Sequence, residues 1–228
     1  MEITFEEAKE FLNNITSKDK VAIIHHDDGD GFCSGILFYD WCKSKKAKVE
    51  QIHFSYGRWN NKIDLDSFNK IIITDIAPEG IQDIPLPTDK EIFYTDHHPK
   101  DTEIPKQILE FRTTEQGYIP SSRTAGELTE LKPWLAFIGT ITDAGYFYPE
   151  NKKYIEIKVA KTFAQVSYHG KFYKRSGSNT LELNGSNLTN FLLHKYGKTW
   201  DDVAVEEFTL DEIDLLTIKK FKLLAKDR

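Results

Sequence analysis

The feature that most constrains the fold is Val21-Ala22-Ile23-Ile24-His25-His26-Asp27-Asp28-Gly29-Asp30-Gly31, an apolar run that stops abruptly in imidazoles, carboxylates and glycines. Such a run reads as a buried strand that delivers polar side chains into a turn. His26, Asp28 and Asp30 recur at every second residue, and the glycines relax the backbone so that alternate side chains can converge on one point. A hard divalent cation suits that cluster. Three later stretches repeat the arrangement: Ile71–Thr74 runs into Asp75, Ile92–Thr95 into Asp96-His97-His98, and Phe137–Thr142 into Asp143.

Taken singly, each stretch has an ordinary reading, since a histidine can end a strand and an aspartate after a strand is often a turn former or helix cap. Together they say more. In a parallel α/β sheet the carboxyl ends of the strands share one rim, where ligands bind, so the four runs would gather their polar ends into one pocket. Carboxylates packed that closely repel one another, and cations resolve the conflict.

The series His26-x-Asp28-x-Asp30-Gly31, Asp75, Asp96-His97-His98 and Asp143 in Thr-Asp-Ala-Gly-Tyr-Phe resembles the four motifs of the DHH phosphoesterase superfamily. The Asp-x-Asp-Gly form is more similar to the RecJ-like nuclease and oligonucleotide-phosphodiesterase branches than to the pyrophosphatase branch. The resemblance implies a metal-dependent phosphodiesterase that hydrolyses single-stranded DNA or RNA, or short oligonucleotides, by two-metal activation of water. It implies one cation on His26, Asp28 and Asp75 and a second on Asp30, Asp75, His97 and Asp143, with Asp75 bridging; manganese is expected first and magnesium second. Asp96 would orient a histidine ligand, and His98 would face the substrate and donate to a phosphate oxygen. His98, Asp75 and Asp96 are thus the expected catalytic group. A pyrophosphatase, a cyclic-dinucleotide phosphodiesterase and a non-catalytic replication-associated scaffold are the alternatives, and a replication or repair protein is a possible partner.

The chain of 228 residues carries a formal net charge of −6, which argues against a protein that coats nucleic acid generally but not against a nuclease whose carboxylates are neutralised by metal. No apolar stretch approaches membrane-spanning length and the first residues are acidic, so cytoplasmic residence is expected. Cys33 and Cys42 read as packing residues on a helix. Neither a dinucleotide fingerprint nor a Walker-type loop occurs, so no cofactor beyond metal is indicated. His25, beside a candidate ligand on a strand, points the other way and is read as structural.

Along the chain, Thr4 with Glu7 forms a capping box for a short helix. Phe32 to about Lys45 reads as a helix, Val49–Phe54 and Ile71–Thr74 as strands, and Ile108–Phe111 as another short strand. Ser121 or Ser122 is expected to cap a helix bearing Ala125, Leu128 and Leu131 and closed by Pro133, and a helix from about Trp134 would deliver Asp143. This alternation predicts an α/β fold with a doubly wound, mostly parallel sheet. Residues 1–150 form the expected catalytic domain. Residues 151–228 are expected to be a helical extension or linker, with helices at 155–166, at Ser186–Tyr196 and from Thr209; the glycine-rich signature of the family's second domain is not present. Two further stretches bear on substrate. Arg58 beside Trp59 either touches a phosphate or base or forms a surface stack, the commoner arrangement. Tyr168 to Asn179, with Lys171, Lys174 and Arg175, either binds a single strand or is an exposed loop anchored by its aromatics.

Overall fold

The computed structural model describes residues 1–151 apart from 58, 60–62, 114–116, 133–134, 137–138, 141–142, 144 and 146–147, together with the backbone of 167–168, 171–176 and 179–184. The chain opens with α1 (Phe5–Asn13), where the Thr4 hydroxyl accepts from the Glu7 N–H and the Glu7 carboxylate accepts from the Thr4 N–H, the reciprocal cap expected from the sequence. Ala8, Phe11 and Leu12 form the buried stripe of this helix.

Five strands follow: β1 (Lys20–His26), β2 (Lys48–Phe54), β3 (Lys70–Thr74), β4 (Glu91–Asp96) and β5 (Ile108–Arg112). They form one sheet in the order β2-β1-β3-β4-β5, and every pairing is parallel. The chain winds outward to β2 and then returns to place β3 on the other side of β1. Between β1 and β3 the strand order therefore reverses, and this is where open α/β sheets bind ligands.

The apolar runs fill two cores because alternate strand residues face opposite ways. On one side Val21, Ile23, Ile72 and Phe93 meet α1, α2 (Gly29–Ser44) and α4 (Ser121–Thr129). On the other, Ala22, Ile24, Ile71, Ile73 and Tyr94 pack under the connections bearing Leu65, Phe68, Ile76 and Ile81, the last in the four-residue helix α3 (Pro78–Ile81). Each fully buried isoleucine contributes about 1.5–3 kcal/mol relative to exposure, so these runs fix which strands are central. α2 lies between β1 and α4. Its close seating on β1 depends on Gly31 and Gly35: a Cβ on the first would lie 2.5 Å from the His26 carbonyl oxygen, and on the second 2.5 Å from the His25 ring.

Beyond the parallel sheet, β6 (Ser167–Tyr168), β7 (Lys171–Ser176) and β8 (Asn179–Asn184) form a three-stranded antiparallel sheet. This corrects the expectation of a loop across 168–179. Leu181 and Leu183 alternate with polar residues after Gly177-Ser178, and Phe172 and Tyr173 favour a strand before it, which together make a hairpin pattern. The helices expected at 155–166, at Ser186–Tyr196 and from Thr209 lie outside the described residues. No described helix is long and apolar enough to cross a membrane.

Candidate metal centre

The site begins where β1 gives way to α2. Asp28 is the N-cap of α2 and its carboxylate accepts from the Gly31 N–H at 2.9 Å. His26 Nδ1 stands 3.1 Å from the other Asp28 oxygen. Partial burial works to raise the Asp28 pKa, but the His26 hydrogen bond and charge and the Gly31 N–H outweigh it and bring it down to about 2. Burial opposes the charge on His26 in turn, and Asp28 and Asp27 raise its pKa above the usual imidazole value nonetheless.

Asp30, the second residue of α2, is buried and reaches the start of α4, where the N–H groups of Ser121 and Ser122 donate to its two oxygens at 2.7 and 3.0 Å. The sequence predicts Ser121 or Ser122 as the cap. Instead both are the first residues of the helix, Pro120 occupies the N-cap position without a side-chain bond, and a carboxylate from a distant helix satisfies the orphan donors. α4 also ends earlier than Pro133 implies: Glu130 takes a left-handed conformation with φ 56° and closes the helix after Thr129.

Asp75 follows β3 and is held at φ +60°, a region uncommon outside glycine but tolerated by aspartate. Its N–H donates to the Thr95 carbonyl at 3.1 Å, which ties the turn to β4. One carboxylate oxygen accepts from the Ser121 hydroxyl at 3.0 Å; the other is buried without a hydrogen-bond partner. Burial, followed by the charges of Asp30, Asp28, Asp143 and Asp96, pushes its pKa well above the usual carboxylate range.

His97, just past β4, points into this acidic pocket. Its Nε2 lies 3.3 Å from Asp75 Oδ1, 3.4 Å from Asp143 Oδ2 and 4.0 Å from Asp30 Oδ2, yet neither ring nitrogen makes a hydrogen bond. Asp143 arrives on a helical turn, its N–H bonded to the Gly139 carbonyl four residues back. Burial and the Asp30 charge push the Asp143 carboxyl up to about 8. Burial likewise raises Asp30 and lowers His97.

The neighbouring His98 turns outward, its side chain 38% exposed. Its Nδ1 meets Asp96 Oδ1 at 2.7 Å and its backbone N–H donates to Asp96 Oδ2 at 3.0 Å. Arg112, at the end of β5, donates to that same Asp96 oxygen and to the Tyr94 hydroxyl, both at 3.1 Å. The sequence leads one to expect Asp96 to orient a ligand histidine; of the two histidines that follow it, the one it hydrogen-bonds is the outward-facing His98. Its bond raises the His98 pKa above the usual value.

Donor atoms of His26, Asp28 and Asp75 lie within 4.8 Å of one another, as do those of Asp30, His97 and Asp143, and those of Asp75, Asp96, His97 and His98. A buried imidazole nitrogen ringed by three carboxylates, beside a carboxylate oxygen with no partner, is a donor set that fits a divalent cation with oxygen and imidazole ligands. The six residues expected as ligands from sequence thus converge. Arg58 lies outside the described residues; Lys171, Lys174 and Arg175 stand in β7, where only backbone is described.

Sequence reasoning missed Arg112, Tyr118 and the α4 amides. The Tyr118 hydroxyl donates to Asp143 Oδ2 at 2.6 Å, and its ring meets the His97 ring edge-on at 5.0 Å. Arg112 was within reach of the strand-end rule, since it closes β5 as Asp96 closes β4 and the two are paired in register. Nothing local marks Tyr118.

The model of the DHH family, N-terminal domain, matches residues 20–166. Among solved structures, RecJ of Thermus thermophilus in complex with Mn²⁺ is similar with a TM-score of 0.60 and 15% identity, over 98% of this chain and 37% of that one. Exonuclease RecJ bound to manganese follows at 0.55 and 16%, over 98% and 61%, and CDC45 from Entamoeba histolytica at 0.50 and 11%, over 99% and 58%. At these identities the likeness is one of fold, and this chain spans less than two thirds of the length of each. No match was found among the curated proteins.

Proposed function

The chain belongs to the DHH family of metal-dependent phosphoesterases, and from that premise we propose that it is a phosphodiesterase acting on single-stranded DNA or RNA, or on short oligonucleotides. The observation that carries the reading is the convergence of two donor groups on Asp75: it shares one with His26 and Asp28, and its Oδ1 lies 3.3 Å from the His97 nitrogen that Asp30 and Asp143 surround. His26, Asp28 and Asp75 would hold one divalent cation, and Asp30, Asp75, His97 and Asp143 the other. The Mn²⁺ complexes of the RecJ relatives support manganese first, with magnesium second. Bound there, two divalent ions supply Lewis-acid activation of water and neutralise charge on the phosphate.

The protein's own groups divide the remaining work. Asp30 locks α4 against α2 through the Ser121 and Ser122 amides, so the buried carboxylates cannot drift apart. Asp96 fixes His98 through Nδ1 and leaves Nε2 as the donor that meets a phosphate oxygen as charge develops on it. Arg112 holds Asp96 for that purpose. The test is cleavage of a labelled single-stranded DNA, the matching RNA, a dinucleotide, pyrophosphate and a cyclic dinucleotide under one Mn²⁺ condition. Turnover of the linear oligonucleotides is expected; pyrophosphate as the one good substrate would overturn the assignment.

A further inference from the structure

Among the described residues three large hydrophobic side chains are exposed: Met1 at 62%, Tyr56 at 42% and Tyr148 at 39%. Met1 is the chain end. A single exposed aromatic needs no explanation, but here both exposed tyrosines adjoin the donor cluster, and they adjoin different halves of it. The Tyr56 ring meets the His26 ring at 5.4 Å and 63°, and its hydroxyl is pinned by the Ala77 N–H at 2.9 Å. Tyr148 stacks on Tyr118 with centroids 4.2 Å apart and planes 16° from parallel; Tyr118 in turn abuts His97 and bonds Asp143.

The fold uses part of each ring, Tyr56 against Phe54 at 5.1 Å and Tyr148 against Tyr118, and leaves the rest exposed. Each ring is held by neighbours that are themselves fixed, so its orientation is set before any ligand arrives and little rotamer entropy remains to be lost. The net charge of −6 also means that the protein as a whole offers a polyanion no general attraction. A substrate that carries aromatic rings on both sides of its phosphate gains from such platforms what charge does not supply. Pyrophosphate gains nothing from them.

We infer that Tyr56 and Tyr148 are stacking platforms for the nucleobases on the two sides of the scissile phosphate, which makes the substrate a single-stranded oligonucleotide with a base on each flank. The inference rests on the phosphodiesterase reading and narrows its substrate class. Base stacking on aromatics tolerates any sequence, because every base has a π-face. Duplex is disfavoured, since its bases are already stacked on one another.

The experiment is a binding cycle on the full chain, with Ca²⁺ replacing Mn²⁺ to hold off turnover. A short single-stranded DNA carrying 2-aminopurine is compared with the same strand made abasic at one flank, against wild type, Tyr148→Ala, Tyr148→Phe and Tyr56→Ala. Tyr148→Ala should weaken binding of the intact strand about five- to 150-fold and relieve the quenching of 2-aminopurine, whereas Tyr148→Phe should keep both. Removing the base at the matching flank should cost a similar factor, and the two losses should not add. Fully additive losses at both flanks, or equal affinity of Tyr148→Ala and wild type, would overturn the proposal. Failure of wild type to cleave any oligonucleotide under Mn²⁺ would sink the phosphodiesterase reading instead, and the fluorescence cycle reads stacking separately from that outcome.

Discussion

The two halves of the donor cluster live in different surroundings. The His26 and Asp28 side chains are 22% and 48% exposed, whereas Asp30, Asp75 and His97 stand at 1%, 1% and 3%, with Asp143 at 21% on the edge of that buried half. In the open half an imidazole and a carboxylate stabilise each other as an ion pair, and the carboxyl stays near 2. In the buried half carboxylates crowd one another out of water, and Asp143 is driven up to about 8. The open half is electrostatically settled by itself. The buried half is settled only by protons or by a cation, so on the proposed function it is the half whose charge state and stability depend on metal.

The largest expected effect comes from the residue the halves share. Asp75→Asn keeps a side chain that tolerates the left-handed backbone but removes the shared charge. Single-turnover cleavage of a labelled oligonucleotide with added Mn²⁺ should fall by more than about 10³-fold, beyond the 10–100-fold typical of groups that only support a ligand. Full activity in the variant would erase the link between the halves.

Metal removal should expose the contrast as a pH effect. In the unfolded chain these carboxyls release protons near pH 4 (about 3.9 for aspartate), while in the folded, metal-free protein Asp30, Asp75 and Asp143 keep theirs to higher pH. The folded state then binds more protons between about pH 4 and pH 8, so stability falls as pH rises through that window. Asp28 has the opposite sign: its contribution is present above pH 4 and lost as pH falls towards 2. His25, His53 and His97, buried and held below the usual imidazole value, also oppose the fall below about pH 6.5 and are silent above it. The melting temperature in excess chelator should therefore decline from pH 7 to pH 8, and saturating Mn²⁺ should remove the decline. A flat profile in chelator would break the distinction.

A smaller effect is expected from Arg112→Lys. Lysine keeps a charge but not the rigid planar group whose terminal nitrogen Nη1 donates to both Asp96 and the Tyr94 hydroxyl. Turnover should drop about 10–100-fold with little change in KM, and the pH–rate limb belonging to His98 should move down towards the ordinary imidazole value. An unchanged limb would show that Asp96 holds His98 unaided.

The donors that sit at the ends of apolar runs were legible in the sequence because strand ends of a parallel sheet meet at one rim. That rule needs no knowledge of which strands are neighbours, and it placed His26, Asp75 and His97 in one pocket. Partners that depend on register and helix direction were not legible. Asp30 capping α4, Arg112 bonding Asp96 across β4 and β5, and Tyr118 reaching Asp143 each join residues at least 16 apart in sequence. The left-handed turn at Asp75 is equally silent, since no glycine marks it. The hairpin in 171–184 is hidden for the opposite reason: its lysines, arginine and serines suggest a loop, and the Phe172-Tyr173 pair with the alternation of Leu181 and Leu183 is the quieter signal.

That hairpin offers the smallest expected effect. If Lys171, Lys174 and Arg175 track phosphates, replacing all three with alanine should reduce the slope of log affinity against log salt by up to about 2 for a single strand, at roughly 0.7 per contact. An unchanged slope would leave substrate binding to the rim around the metal centre.

The most direct test of a shared two-ion centre is the count and coupling of bound Mn²⁺, read by equilibrium dialysis and electron paramagnetic resonance on wild type and Asp75→Asn side by side. Wild type is expected to bind two ions per chain with the broadened signal of a coupled pair, and Asp75→Asn to lose the coupling and bind at least one ion far more weakly. One ion per wild-type chain, or an Asp75→Asn protein that holds two coupled ions as tightly as wild type, would contradict the account.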